Sequence, residues 1–188
     1  MADINVTVAA RRPASADSDA KPATEPTWDL IELLFFAYRD FVGDPDEVLA
    51  KFGFGRAHHR VLHFVNRNPG MKVAALLDIL RITKQSLGRV LKQLIDEGYI
   101  EQKEGERDRR QRLLYVTPKG AELALRLARL QTTRIARALA ESGRDTGPGT
   151  GSGAHENARK FLTAMIDAEG RDKVMRLIDR VERPRRLR

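Results

Sequence analysis

Lys84, Gln85, Ser86, Arg89 and Lys92 bring hydrogen-bond donors to one short stretch, and no carboxylate interrupts them before Asp96. Such donors hold phosphate oxygens, and Lys, Arg and Gln also meet base edges in a major groove. Leu87, Val90, Leu91, Leu94 and Ile95 recur between them at helical spacing, so the polar residues, Gln93 included, share the opposite face of a helix. Thr83 supplies an N-cap and Gly98 a stop. A solvated amphipathic helix has the same pattern, so the helix alone does not assign the chemistry.

The following residues narrow it. Tyr99 to Glu104 and Arg112 to Thr117 have strand character, and Gly105-Glu106-Arg107-Asp108-Arg109-Arg110-Gln111 lies between them as a long polar tip. Its arginines outnumber its acids, so it could straddle a nucleic-acid backbone and place a guanidinium in a minor groove. With a short helix at Ala74 to Leu80, a turn at Arg81-Ile82-Thr83 and a short strand at Met71-Lys72-Val73, the order predicts a winged helix-turn-helix. Pro118 opens the next helix at a position where proline is tolerated.

Three segments resemble the MarR family of transcriptional regulators. Leu94-Ile95-Asp96-Glu97-Gly98-Tyr99-Ile100-Glu101 is similar to the family's recognition-helix exit, and Asp108-Arg109-Arg110 to its wing tip. Leu114-Tyr115-Val116-Thr117-Pro118-Lys119-Gly120 resembles its second wing strand entering a long dimerisation helix. The likeness runs from about residue 28 to about 141 and is specific through its combined spacing. It implies a homodimer on a near-palindromic double-stranded operator, repression by default, and a small-molecule effector that alters affinity. Carried over by position, Lys84, Gln85 and Ser86 would face bases, and Arg89 and Lys92 would hold the backbone. Arg110 would enter the minor groove, Arg109 would touch phosphate, and Asp108 would pair with a wing arginine to fix the tip. Ala74 and Gly88 stand where the family often has hydroxyl residues, which removes a cap and one phosphate contact.

These segments need a platform. Thr27 can cap a helix from Trp28 to Tyr38 that is apolar nearly all round, the first dimerisation helix in this reading. Asp44-Pro45-Asp46-Glu47 reads as the start of a separate short helix closed by Gly53. Phe54 to Val65 is helical and stops at Asn68-Pro69-Gly70. A long helix from Pro118 to Ala140 joins the reading lobe to the platform, and helices at Glu156 to Ile166 and Arg171 to Val181, broken near Gly170, complete it. The predicted fold is mainly α with a small β-wing: a winged helix-turn-helix lobe plus a helical dimerisation platform. Residues 1–26 read as a disordered tail, 27–141 as the winged-helix domain with its dimerisation helix, 142–155 as a Gly-rich linker, 156–183 as the C-terminal helices and 184–188 as a basic tail.

Trp28, Phe35, Tyr38, His58 and His59 are the candidate lining of an effector pocket. His59 and His63 share a helical face at i and i+4, but two histidines are half a metal site, so no metal or cofactor is expected. The chain of 188 residues carries 34 Lys+Arg against 26 Asp+Glu, a formal net charge of +8 that favours polyanions. Its lack of cysteine excludes disulfides and thiol redox sensing. The Gly-rich stretch has no Lys-Ser or Lys-Thr at phosphate-loop spacing, and no nucleophile and base pair stands out, so an enzyme is not expected. Neither a membrane-length apolar run nor a signal-type core is present, so a cytoplasmic location is expected. The remaining alternative is a winged-helix protein-interaction module whose charge is incidental.

Overall fold

The computed structural model describes residues 25–105, 108, 110–144 and 151–182. Among the described residues seven helices and three strands follow in the order α1 (Trp28–Ala50), α2 (Arg56–Arg67), β1 (Met71–Lys72), α3 (Val73–Leu80), α4 (Lys84–Asp96), β2 (Ile100–Glu104), β3 (Arg112–Val116), α5 (Pro118–Arg144), α6 (Gly151–Ala164) and α7 (Ala168–Glu182). The predicted tail at residues 1–26 lies almost wholly outside the described residues, as does the basic tail at 184–188.

The core sits where α2, α3 and α4 meet the sheet and the start of α5. Leu62, Val65, Leu76, Leu87, Leu94, Ile100, Leu114 and Leu127 are almost completely buried there. The apolar stripe of α4 therefore faces inward, which leaves its donor-rich face to solvent. The strands form an antiparallel sheet of order β1-β3-β2, with Ile100 opposite Val116, Glu104 opposite Arg112, and Met71 opposite Leu114. Met71 and Lys72 thus add the short edge that the sequence suggests, while Val73 already belongs to α3.

The platform differs from expectation in four places. Thr27 makes no side-chain cap; its carbonyl accepts from the Ile31 N–H at 3.1 Å. Asp44-Pro45 does not start a second helix, because α1 runs unbroken through Pro45. The Asp44 carboxylate is taken by Arg134 of α5, whose Nε and Nη2 donate to it at 2.9 to 3.2 Å. That forked contact and the burial of the Pro45 ring compensate for the one intrahelical bond a proline removes. The helices also reach into both ends of the stretch read as a linker: α5 continues to Arg144, and α6 starts at Gly151 and packs on α5, so packing overrides the poor helix propensity of its glycines. Residues 145–150 of that stretch lie outside the described residues.

The last break falls at 165–167 rather than at Gly170. The Asp167 carbonyl accepts from the Gly170 and Arg171 N–H groups, which places Gly170 inside the first turn of α7. The Arg171 guanidinium donates to the carbonyls of Ile166 and Ala164, satisfying groups that the end of α6 would leave open.

Candidate nucleic-acid interface

The reading helix is fixed at both ends. At its start the Thr83 hydroxyl oxygen accepts from the Ser86 N–H at 3.1 Å and donates its own proton to the Ser86 hydroxyl at 2.9 Å. Replacing Thr83 by Ala is expected to cost about 1 kcal/mol of stability, the usual value of a helix cap, read as a lowered urea midpoint at unchanged slope. At its end Gly98 adopts φ +74°, and the Tyr99 N–H returns to the Leu94 carbonyl at 2.8 Å. Tyr99 then turns inward and is buried.

Between these ends Lys84, Gln85, Ser86, Arg89 and Lys92 are all exposed. The side chains of Lys84, Gln85 and Arg89 make no hydrogen bond or ion pair with another described residue, so their donors face solvent uncommitted. Lys92 Nζ lies 2.6 Å from Asp96 Oδ2 one turn away, an exposed pair worth a few tenths of a kcal/mol that a phosphate can replace. Gln93 departs from the expected face. It is half-buried, its Oε1 lies 2.9 Å from His58 Nε2, and its amide donates to Glu97 Oε1 at 2.9 Å.

The wing carries a compact turn. The Gly105 N–H donates to the Gln111 carbonyl at 3.0 Å, and the Gln111 N–H donates to the Asp108 carbonyl at 2.9 Å. Asp108 Oδ1 accepts from the Arg110 backbone N–H at 3.0 Å and Oδ2 from the Gln111 amide at 3.2 Å. These described contacts order the turn through a main-chain amide, where the resemblance implies a guanidinium partner; Arg107 and Arg109 lie outside the described residues. The Arg110 side chain is exposed at the tip. Lower in the wing, Arg112 pairs with Glu104 and Lys103 with Glu101, both at 2.8 Å across exposed strand surface.

Helix and wing form one unit through Thr117. Its hydroxyl donates to the Gly98 carbonyl at 2.7 Å and accepts from the Gly120 N–H at 3.1 Å, so the residue that closes the wing also caps α5. Lys119 Nζ stands 4.1 Å over the Tyr99 ring and donates to the Glu97 carbonyl at 2.9 Å. From there α5, 27 residues and about 40 Å long, connects the reading lobe to Asp44 of α1.

Within a single chain the candidate effector-pocket residues fall into two groups. Trp28, Phe35 and Tyr38 are 64%, 68% and 54% exposed on the first turns of α1, which extend beyond the core of the chain. His58 is engaged with Gln93, and His59 is a buried residue of α2. Burial lowers the His59 pKa, with His63 next in effect, and desolvation followed by Arg67 lowers that of His63. Among the described residues no group of three metal-ligating side chains surrounds them. An open groove of about 1550 Å³ lies between the lobe and α7, lined among others by Phe64, Arg67, Lys72, Asp78, Lys173 and Leu177.

A helix-turn-helix of α3 and α4, with a three-stranded wing placed at the end of its second helix, defines a winged helix-turn-helix protein. The family model that matches, over residues 52–111, is described as MarR family. The HTH-type transcriptional regulator PetP of Rhodobacter capsulatus is 47% identical over 137 residues, covering 73% of this chain and 78% of that protein. A SlyA-like transcription regulator from Listeria monocytogenes has the same fold at 20% identity, with a TM-score of 0.56 over 76% of this chain and 87% of that one. So does FabT of Streptococcus pneumoniae, solved in complex with DNA, at 20% identity and a TM-score of 0.54 over 75% of this chain and 100% of that one. The chain belongs to the MarR family of transcription regulators. Among the described residues no helix is long and apolar enough to cross a membrane.

Proposed function

We propose that this protein is a homodimeric cytoplasmic repressor that binds a near-palindromic operator and releases it when a small-molecule effector binds. The observation that carries the reading is the joint exposure, on one rigid lobe, of Lys84, Gln85 and Arg89 on α4 and Arg110 at the wing tip. A helix in a major groove with an arginine in the neighbouring minor groove requires that pairing. Ser86 adds a base-facing hydroxyl and Lys92 a phosphate contact; Arg109 adjoins Arg110 in sequence and takes a phosphate in the same reading. The net charge of +8 favours the approach to DNA.

Dimerisation is supported by apolar surface that a lone chain would leave in water. Trp28, Leu33, Phe35 and Phe36 of α1 and Phe161 and Leu162 of α6 are each more than half exposed. Two copies bring two α4 helices to two half-sites, which is why a two-fold operator follows from a two-fold protein. The groove beside α7 supplies room for an effector between the reading lobe and the C-terminal helices.

Footprinting on fragments that include the protein's own upstream DNA, across a salt series, tests the reading. A protected two-fold site with steep salt dependence is the expected result. Absence of any preferred fragment at every salt concentration would instead favour a protein-interaction module. On the protected site, Arg110→Ala is expected to weaken binding by about 1 to 3 kcal/mol with the dimer intact, and unchanged affinity would remove Arg110 from the interface.

A further inference from the structure

His58 joins two parts of the fold that the DNA-reading surface depends on. Its Nδ1 accepts from the Gly55 N–H at 3.1 Å, at the start of α2. A ring nitrogen that accepts carries no proton, so the proton of the neutral imidazole resides on Nε2. Nε2 accordingly donates to Gln93 Oε1 at 2.9 Å, and the Gln93 amide passes the connection on to Glu97 in the same helix. With that tautomer, donor meets acceptor at each step from Gly55 through His58 and Gln93 to Glu97.

The ring is also held sideways. It stacks on Phe54 at 4.8 Å and 10°, and Phe54 meets the Tyr99 ring edge-on at 5.1 Å, so the same aromatic cluster touches the exit of α4. The segment from 54 to 58 follows directly on the end of α1, the helix whose exposed face supports dimerisation. The polar link therefore runs from the start of α2 to the last turn of α4.

We propose that His58 is a positioning residue for DNA reading, acting through Gln93 to set how α4 stands in the groove. The inference rests on the DNA-reading function above and adds a residue that contacts no DNA. Since Gln93 spends its side chain on this link, it does not read bases.

The two ring nitrogens can be separated by substitution. Asn at position 58 places a polar atom where Nδ1 lies and keeps the bond to Gly55, whereas Gln reaches the position of Nε2 and keeps the bond to Gln93. The full chain is first used to select a preferred duplex from a random pool, and each variant is then measured on that duplex and on a shuffled one. His58→Asn and Gln93→Ala are expected to lose about tenfold on the selected duplex while His58→Gln stays within about threefold of wild type, and all three to change by less than about twofold on the shuffled duplex. A chain carrying both His58→Asn and Gln93→Ala should lose no more than the worse of those two single variants. Wild-type binding by His58→Asn, or losses that simply add, would overturn the proposal. Amide hydrogen exchange reads the link without DNA: faster exchange over 91–97 in His58→Asn than in His58→Gln is expected, and equal exchange sinks the strut itself. If the wild type selects no duplex, the DNA-reading function has failed and this inference goes with it, whereas selective wild-type binding with unaffected variants refutes the inference alone.

Discussion

Gly120→Ala is expected to destabilise the protein by about 3 kcal/mol or more, lowering its melting temperature by about 10 °C, with DNA binding lost in parallel. A Cβ at this position would sit 2.0 Å from the Tyr99 carbonyl oxygen and 2.9 Å from its carbon. Both are backbone atoms, so no side chain can rotate away. The same carbonyl accepts from the Thr117 N–H at 3.1 Å, which means any retreat of Tyr99 opens the joint between α4, the wing and α5. Gly88 is the internal control: nothing lies within 4 Å of a Cβ added there, and it occupies the interior of α4. Gly88→Ala should raise stability by up to about 1 kcal/mol, as alanine replaces glycine in a helix. Calorimetry on the two variants checks both signs, and a Gly120→Ala protein that melts like wild type would refute the close approach.

The second large effect concerns the platform. Leu33 and Phe36 lie one turn apart on α1 and are 61% and 52% exposed, so charges there cost the isolated chain little. In a dimer built on that face, the Leu33→Asp/Phe36→Asp double variant buries carboxylates without partners and should be monomeric in sedimentation. Affinity for a two-half-site operator should then fall by about a hundredfold or more, because the second half-site is no longer held at high effective concentration. Binding to a single half-site should survive, since the lobe that reads it is untouched. A double variant that remains dimeric would move the interface elsewhere, to α6 and α7 or to the groove beside them.

Both expectations rest on features with different legibility in the sequence. The reading helix was visible because its information is local: a Thr cap, an apolar residue on every turn, and a glycine stop are all encoded within sixteen residues, Thr83 to Gly98. Two strands with a polar tip and a proline opening the next helix are local in the same way. The MarR likeness follows from these segments in their order, and the MarR family model that matches residues 52–111 bears it out.

What the sequence could not decide involves residues far apart in the chain. Asp44-Pro45 has every local sign of a helix start, yet α1 passes through it, because Asp44 meets Arg134 ninety residues later. Gln93 falls on the polar face by periodicity, yet His58, thirty-five residues earlier, draws it inward. Trp28, Phe35 and Tyr38 group with His58 and His59 as a pocket by type alone, yet within one chain the first three are exposed. Local preferences are worth tenths of a kcal/mol to about 1 kcal/mol per residue, and a forked ion pair or a filled core site can exceed them. The sequence by itself therefore determined which segments are helix, strand and turn in the reading lobe, and which face of α4 is polar. Only the tertiary structure decided which polar residues remain free to meet a ligand, because that depends on partners brought together by folding.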